Sequence, residues 1–94
     1  MIASYKDKKT QAFAQGEFVK EFEGFSGQAI KRLAILAAAT SLNDLRALRS
    51  NRLEALRGDR DGQYSVRINR QWRICFTWKP DAAGPEDVEI VDYH

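Results

Sequence analysis

Tyr64-Ser-Val-Arg-Ile-Asn-Arg-Gln-Trp-Arg-Ile-Cys-Phe-Thr-Trp78 decides the fold. Tyr64, Val66 and Ile68 alternate with Ser65 and Arg67, and Trp72, Ile74, Phe76 and Trp78 alternate with Arg73, Cys75 and Thr77. A period of two marks two half-buried strands. Asn69-Arg-Gln71 between them is short enough to force a hairpin. Parity then sets the register. With Ile68 opposite Trp72, every apolar side chain falls on one face, and Arg67 lands opposite Arg73 on the other. Like charges so opposed work against a sheet by roughly 0.2–1 kcal/mol. A slip of one residue would carry the tryptophans into water, which costs more. The arginine pair therefore stays. An anion seated between the two guanidinium groups would explain it, and so would two long stems splayed over the sheet surface.

Working outward, Asp59-Arg-Asp-Gly62 and the segment from Pro80 to Pro85 read as turns, leaving Leu53–Leu56 and Val88–Val91 as two further strands. The first half changes period from 2 to 3.6. Ile30, Leu33, Ala34 and Ala37 follow the i, i+3, i+4, i+7 pattern of an amphipathic helix reaching about Thr40, with Ser26 as its N-cap. Ser41-Leu-Asn-Asp44 resembles a capping box and opens a short helix through Leu42, Leu45 and Leu48. Lys6 to Gln15 reads as a weaker helix ended near Gly16. Phe18, Phe22 and Phe25 form a further helical turn or a loop plugging the core, and Met1–Tyr5 alternates like a strand. Helices first and an antiparallel sheet afterwards make an α+β fold, helices on one sheet face. Residues 1–94 leave room for one domain.

Composition narrows the function classes. The longest apolar run, Leu33 to Ala39, is too short to cross a bilayer. The start, Met1-Ile-Ala-Ser-Tyr-Lys, lacks the basic-then-apolar order of a signal peptide. A single cysteine, Cys75, excludes an internal disulfide. A cytoplasmic protein is expected. One His and one Cys do not build the usual zinc sites, there is no calcium loop or glycine-rich phosphate loop, and no cofactor is expected. Cys75 reads as a small packing residue.

Net charge is only +2, yet Arg46 to Arg73 holds eight arginines and three acids, whereas Asp81 to His94 holds five acids and no Lys or Arg. Arginine suits planar, bidentate contact with phosphate or carboxylate. A solvated basic surface is the plainer account. Asp92-Tyr-His94 sets a carboxylate, a phenol and the chain's only imidazole in succession. Histidine is the natural proton donor or acceptor near neutral pH, although a terminal polar tripeptide is usually a frayed end.

The run from Asn51 to Phe76, Asn-Arg-Leu-Glu-Ala-Leu-Arg-Gly-Asp-Arg-Asp-Gly-Gln-Tyr-Ser-Val-Arg-Ile-Asn-Arg-Gln-Trp-Arg-Ile-Cys-Phe, resembles the HigB/GraT-type toxins of the RelE/ParE superfamily. Val88-Glu-Ile-Val-Asp-Tyr-His94 is similar to their last strand and tail. The resemblance extends over nearly the whole chain and is weaker in the helical half. It implies two to three helices against a small twisted antiparallel sheet. It further implies a type II toxin that cuts mRNA in the ribosomal A site, without a metal, through attack of a 2′-hydroxyl on the adjacent phosphate. By position, Arg73 falls on the arginine of the family's Trp-Arg-Ile motif, and Arg57 stands where a lysine is common. Both are implied to stabilise the phosphate. Asp92, Tyr93 and His94 match the catalytic tail. Glu54 stands where some relatives have histidine, and either serves as base or orients an arginine. Proton transfer is assigned to His94 and to Glu54 or Asp92, with Tyr93 stacking on a base or positioning the tail. Arg46, Arg49, Arg60, Arg67 and Arg70 are the expected RNA-binding set. The implied partner is a helix-turn-helix antitoxin, through which alone operator DNA would be met. The alternative on the same scaffold is a ParE-like toxin that binds a protein such as DNA gyrase without cutting RNA.

Overall fold

A computed structural model describes residues 1–92. Three helices precede the sheet: α1 (Lys8–Ala14), α2 (Ser26–Ala38) and α3 (Leu42–Ala47). The strands are β1 (Glu54–Ala55), β2 (Tyr64–Arg67), β3 (Trp72–Thr77) and β4 (Glu86–Asp92), in the antiparallel order β1-β2-β3-β4. The α+β expectation holds. So does the hairpin register: Val66 faces Ile74, Arg67 faces Arg73, and the Ile68 amide donates to the Trp72 carbonyl at 3.0 Å.

One face of the sheet is the core. Val66, Ile68, Ile74, Phe76, Val88 and Ile90 pack there against Phe13, Phe22, Leu33, Leu36 and Leu45 of the helical half. Phe18, Phe22 and Phe25 divide the work unequally. Lys20–Phe25 is a 3₁₀ turn that sets Phe22 and Phe25 against Trp72, with ring centroids 5.9 and 4.8 Å away, while Phe18 is exposed. Such aromatic pairs prefer edge-on or offset geometry, and Phe22 meets Trp72 at 77°.

Several local expectations shift. In α2 the buried stripe is Ala29, Leu33 and Leu36, and Ile30 is 57% exposed. The helix is apolar over a wide arc. Ala29 and Leu36 lie in the core, whereas Ile30, Ala34 and Ala37 line an apolar groove with Ile2 and Tyr5. Ser26 is the first residue of α2 and caps nothing through its side chain. Ser41 does cap α3, its Oγ accepting from the Asp44 amide at 3.3 Å. Asp44 in turn accepts from the Thr40 hydroxyl and amide, which holds its carboxyl below the usual range.

Leu53–Leu56 shrinks to the two-residue β1, and Met1–Tyr5 makes only a parallel bridge from Tyr5 to Val88. That bridge covers the exposed edge of β4. Val88 donates to Ser4, Lys6 donates to Val88, and the Ile90 amide donates to the buried Thr10 hydroxyl at 3.0 Å. A strand edge is thereby closed to further pairing. No helix among the described residues is long and apolar enough to cross a membrane.

Candidate functional site

Glu54, Ser65, Arg67, Arg73, Cys75 and Glu89 share the sheet face turned away from the helices, as the strand registers require. That face has two unlike ends. At one, Arg60 Nη1 donates to Glu89 Oε1 at 2.8 Å and to Gln63 Oε1 at 3.1 Å, with Lys6 Nζ 3.7 Å from the same carboxylate oxygen. Cys75, paired with Glu89 across the strands, is fully buried. Burial pushes its thiol up, the Arg60 charge pulls it back, and Glu89 adds to the rise. Opposite charge meets opposite charge, and the end is closed.

At the other end lies a groove of about 350 Å³ lined by Arg52, Glu54, Arg67, Asn69, Arg70 and Arg73. Four arginines face one carboxylate. Arg73 is the fixed member: its side chain is 11% exposed. Nε donates to Ser65 Oγ at 2.7 Å, and Nη2 donates to the Arg52 carbonyl at 2.6 Å and more loosely to the Ser65 carbonyl at 3.5 Å. Its only ion-pair partner among the described residues is Glu54, 4.0 Å from Nη1, with a side chain 57% exposed. A guanidinium held mainly by neutral acceptors is oriented but hardly neutralised. Arg67, directly opposite, turns its Nε to the Asn69 carbonyl at 3.0 Å, which separates the two like charges.

Glu54, Arg67, Arg70 and Arg73 thus come together. Arg57 stands outside the groove lining, exposed beyond β1 at the start of the 3₁₀ turn Gly58–Arg60. Asp92 pairs with Trp72 at the end of β4 and accepts from Gln71 Nε2 at 2.9 Å. Arg46 donates to Asn43 on the surface of α3, Arg49 lies exposed in the turn after it, and Arg60 is bound to Glu89. Tyr93 and His94 lie outside the described residues. Among the described residues no cluster of His, Cys, Asp and Glu has the makings of a metal site.

Sequence reasoning missed three contributors. Asn69 shapes the hairpin, its Oδ1 accepting from the Gln71 and Trp72 amides at 2.9 and 2.8 Å. Asparagine ahead of a turn was the available signal. Ser65 is a strand hydroxyl that alternation alone leaves without a task, and its Oγ accepts from Arg73 Nε. Arg52 brings both a side chain and a carbonyl to the groove, and no local pattern announced the carbonyl.

Residues 3–94 match the family described as the RelE-like toxin of type II toxin-antitoxin system HigB. The chain is also 32% identical over 80 residues to Toxin HigB-1 of Vibrio cholerae serotype O1, a span of 83% of this chain and 84% of that protein. With the four-stranded sheet, the helices on one face and a match along nearly its whole length, the chain belongs to the HigB-like family of RelE-like toxins of type II toxin-antitoxin systems.

Proposed function

We propose that this toxin is an endoribonuclease that cuts mRNA in the ribosomal A site without a metal, and that residues 1–94 form the one domain responsible. The observation that carries the reading is Arg73, held by Ser65 and the Arg52 carbonyl beside a groove with three more arginines and one loose carboxylate. A cation fixed in advance, with its charge left over, suits a phosphate that gains negative charge during reaction. RelE-like toxins of the HigB family are generally endoribonucleases, which supports the same assignment.

In the proposed reaction a 2′-oxygen forms a bond to the adjacent phosphorus as the P–O5′ bond breaks. A base takes the hydroxyl proton, and an acid gives a proton to the departing 5′-oxygen. The products are a 2′,3′-cyclic phosphate and a free 5′-hydroxyl. Arg73 and Arg67 stabilise the phosphorane, with Arg57 approaching from beyond β1. Arginine holds its proton near neutral pH, so it binds charge and does not shuttle protons. The shuttle falls to His94, with Glu54 or Asp92 as its counterpart, and Tyr93 contacts a base or positions the tail. Arg46, Arg49 and Arg70 follow the RNA backbone. Arg60, already matched by Glu89, adds least. A type II toxin has an antitoxin partner, which we assign to the helix-turn-helix class, acting in the cytoplasm.

Primer extension on mRNA from cells expressing the chain tests this. Cuts within translated codons are expected for the native toxin, none for His94→Ala, and a loss of about 10²–10³-fold for Arg73→Ala. Growth arrest with no cuts in the native strain would overturn the reading in favour of a protein-binding toxin.

A further inference from the structure

Arg52 has φ 44° and ψ 53°, a left-handed conformation that residues other than Gly, Asn and Asp rarely adopt. Its surroundings enforce it. Asn51 is fully buried, its Oδ1 accepting from Arg32 Nη1 of α2 at 2.7 Å and its Nδ2 donating to the Leu45 carbonyl of α3 at 2.9 Å. The Asn51 amide donates to the Leu48 carbonyl and the Arg52 amide to the Arg49 carbonyl, each at 3.0 Å. Two helices and a turn therefore clamp the residue before Arg52. The outcome is a carbonyl aimed at Arg73 Nη2, at 2.6 Å.

We infer that this carbonyl is a positioning group for Arg73, and that the Arg32–Asn51 anchor exists to hold it there. The inference rests on the phosphate-binding role proposed for Arg73. Nη2 is tethered to Arg52 while Nη1 stands 4.0 Å from Glu54. With the Arg52 peptide turned away, Nη2 loses its short bond and the guanidinium swings onto the carboxylate. The cation is then matched by Glu54, and Glu54 is no longer available to accept a proton. The left-handed turn thus keeps two opposite charges near one another yet apart. Strained backbone near a working side chain is a recurring arrangement, and here its product is a single hydrogen bond.

The test compares Arg52→Gly with Arg52→Val. Both delete the same groove cation, so KM rises alike in the two. Glycine takes positive φ freely, whereas for a β-branched residue it is an outlier. At saturating mRNA-programmed ribosomes, the valine variant is expected to turn over roughly tenfold more slowly than the glycine variant. The Arg73 Nε–Hε NMR resonance, read well below each variant's melting temperature, is expected to keep its native position in the glycine variant and to move in the valine variant. The resonance does not depend on any cleavage. If the native chain cuts no RNA, the proposed function fails and the resonance still decides the positioning. Equal turnover and equal resonances in the two folded variants would overturn the inference.

Discussion

Arg60 and Arg73 are both drawn into the outer face of one sheet, and their charges meet opposite treatment. Arg60, 30% exposed, meets Glu89 at 2.8 Å. Arg73, 11% exposed, meets a hydroxyl and two carbonyls, with its nearest described carboxylate at 4.0 Å. The more buried guanidinium is the less compensated one. Stability alone favours the opposite, because a charge removed from water is costly unless closely paired. On the proposed function, the difference separates a structural arginine from one whose field is kept for the RNA phosphate. Cys75 and Glu89 lie at the closed end, and Arg52, Arg67 and Arg70 around the open one.

The largest expected effect falls on the open end. Arg73→Ala is expected to lower single-turnover mRNA cleavage by about 10²–10³-fold while chemical denaturation shows a native-like fold. An activity within about threefold of native would erase the contrast. Next is the anchor behind the groove. Asn51→Ala removes a fully buried amide and leaves its two partners, Arg32 Nη1 and the Leu45 carbonyl, unmet, a loss of about 2–3 kcal/mol by urea titration. An unchanged midpoint would show that the turn needs no clamp.

At the closed end the order of effects is expected to reverse. Among the described residues, Arg60→Ala leaves Glu89 with only the more distant Lys6, and partial exposure limits the loss to about 1–2 kcal/mol. Its cleavage rate is expected to stay within about threefold of native, the inverse of Arg73→Ala. The smallest effect concerns Cys75. Its pKa is raised, chiefly by burial, so the thiolate is scarcer than in an open cysteine. Alkylation of the native protein at neutral pH is expected to be slow, and slower still in Arg60→Ala, which removes a charge that pulls the thiol down. Equal rates would mean that the Arg60 charge does not reach the thiol.

The hairpin was legible because two tryptophans, five other apolar residues and a three-residue loop allow a single parity, and that parity also opposed Arg67 to Arg73. The helical half was less so. Ile30 fits an apolar stripe as well as Ala29 does, and only packing reveals which side of α2 meets the sheet. The charge count treated all eight arginines of 46–73 alike. What sets Arg60 apart is Glu89, 29 residues away in sequence, and what prepares Arg73 is a carbonyl 21 residues away. The left-handed Arg52 follows from contacts of Asn51 reaching 6 and 19 residues along the chain. None of these separations leaves a periodic trace.

The contrast between the two guanidinium groups is most directly tested by titrating the labelled toxin with a short RNA carrying 2′-O-methyl groups, which the proposed reaction cannot cut. The arginine Nε–Hε resonances are followed by NMR. Arg73 is expected to shift to saturation while Arg60 stays in place. A shift at Arg60 with Arg73 unmoved would contradict the account.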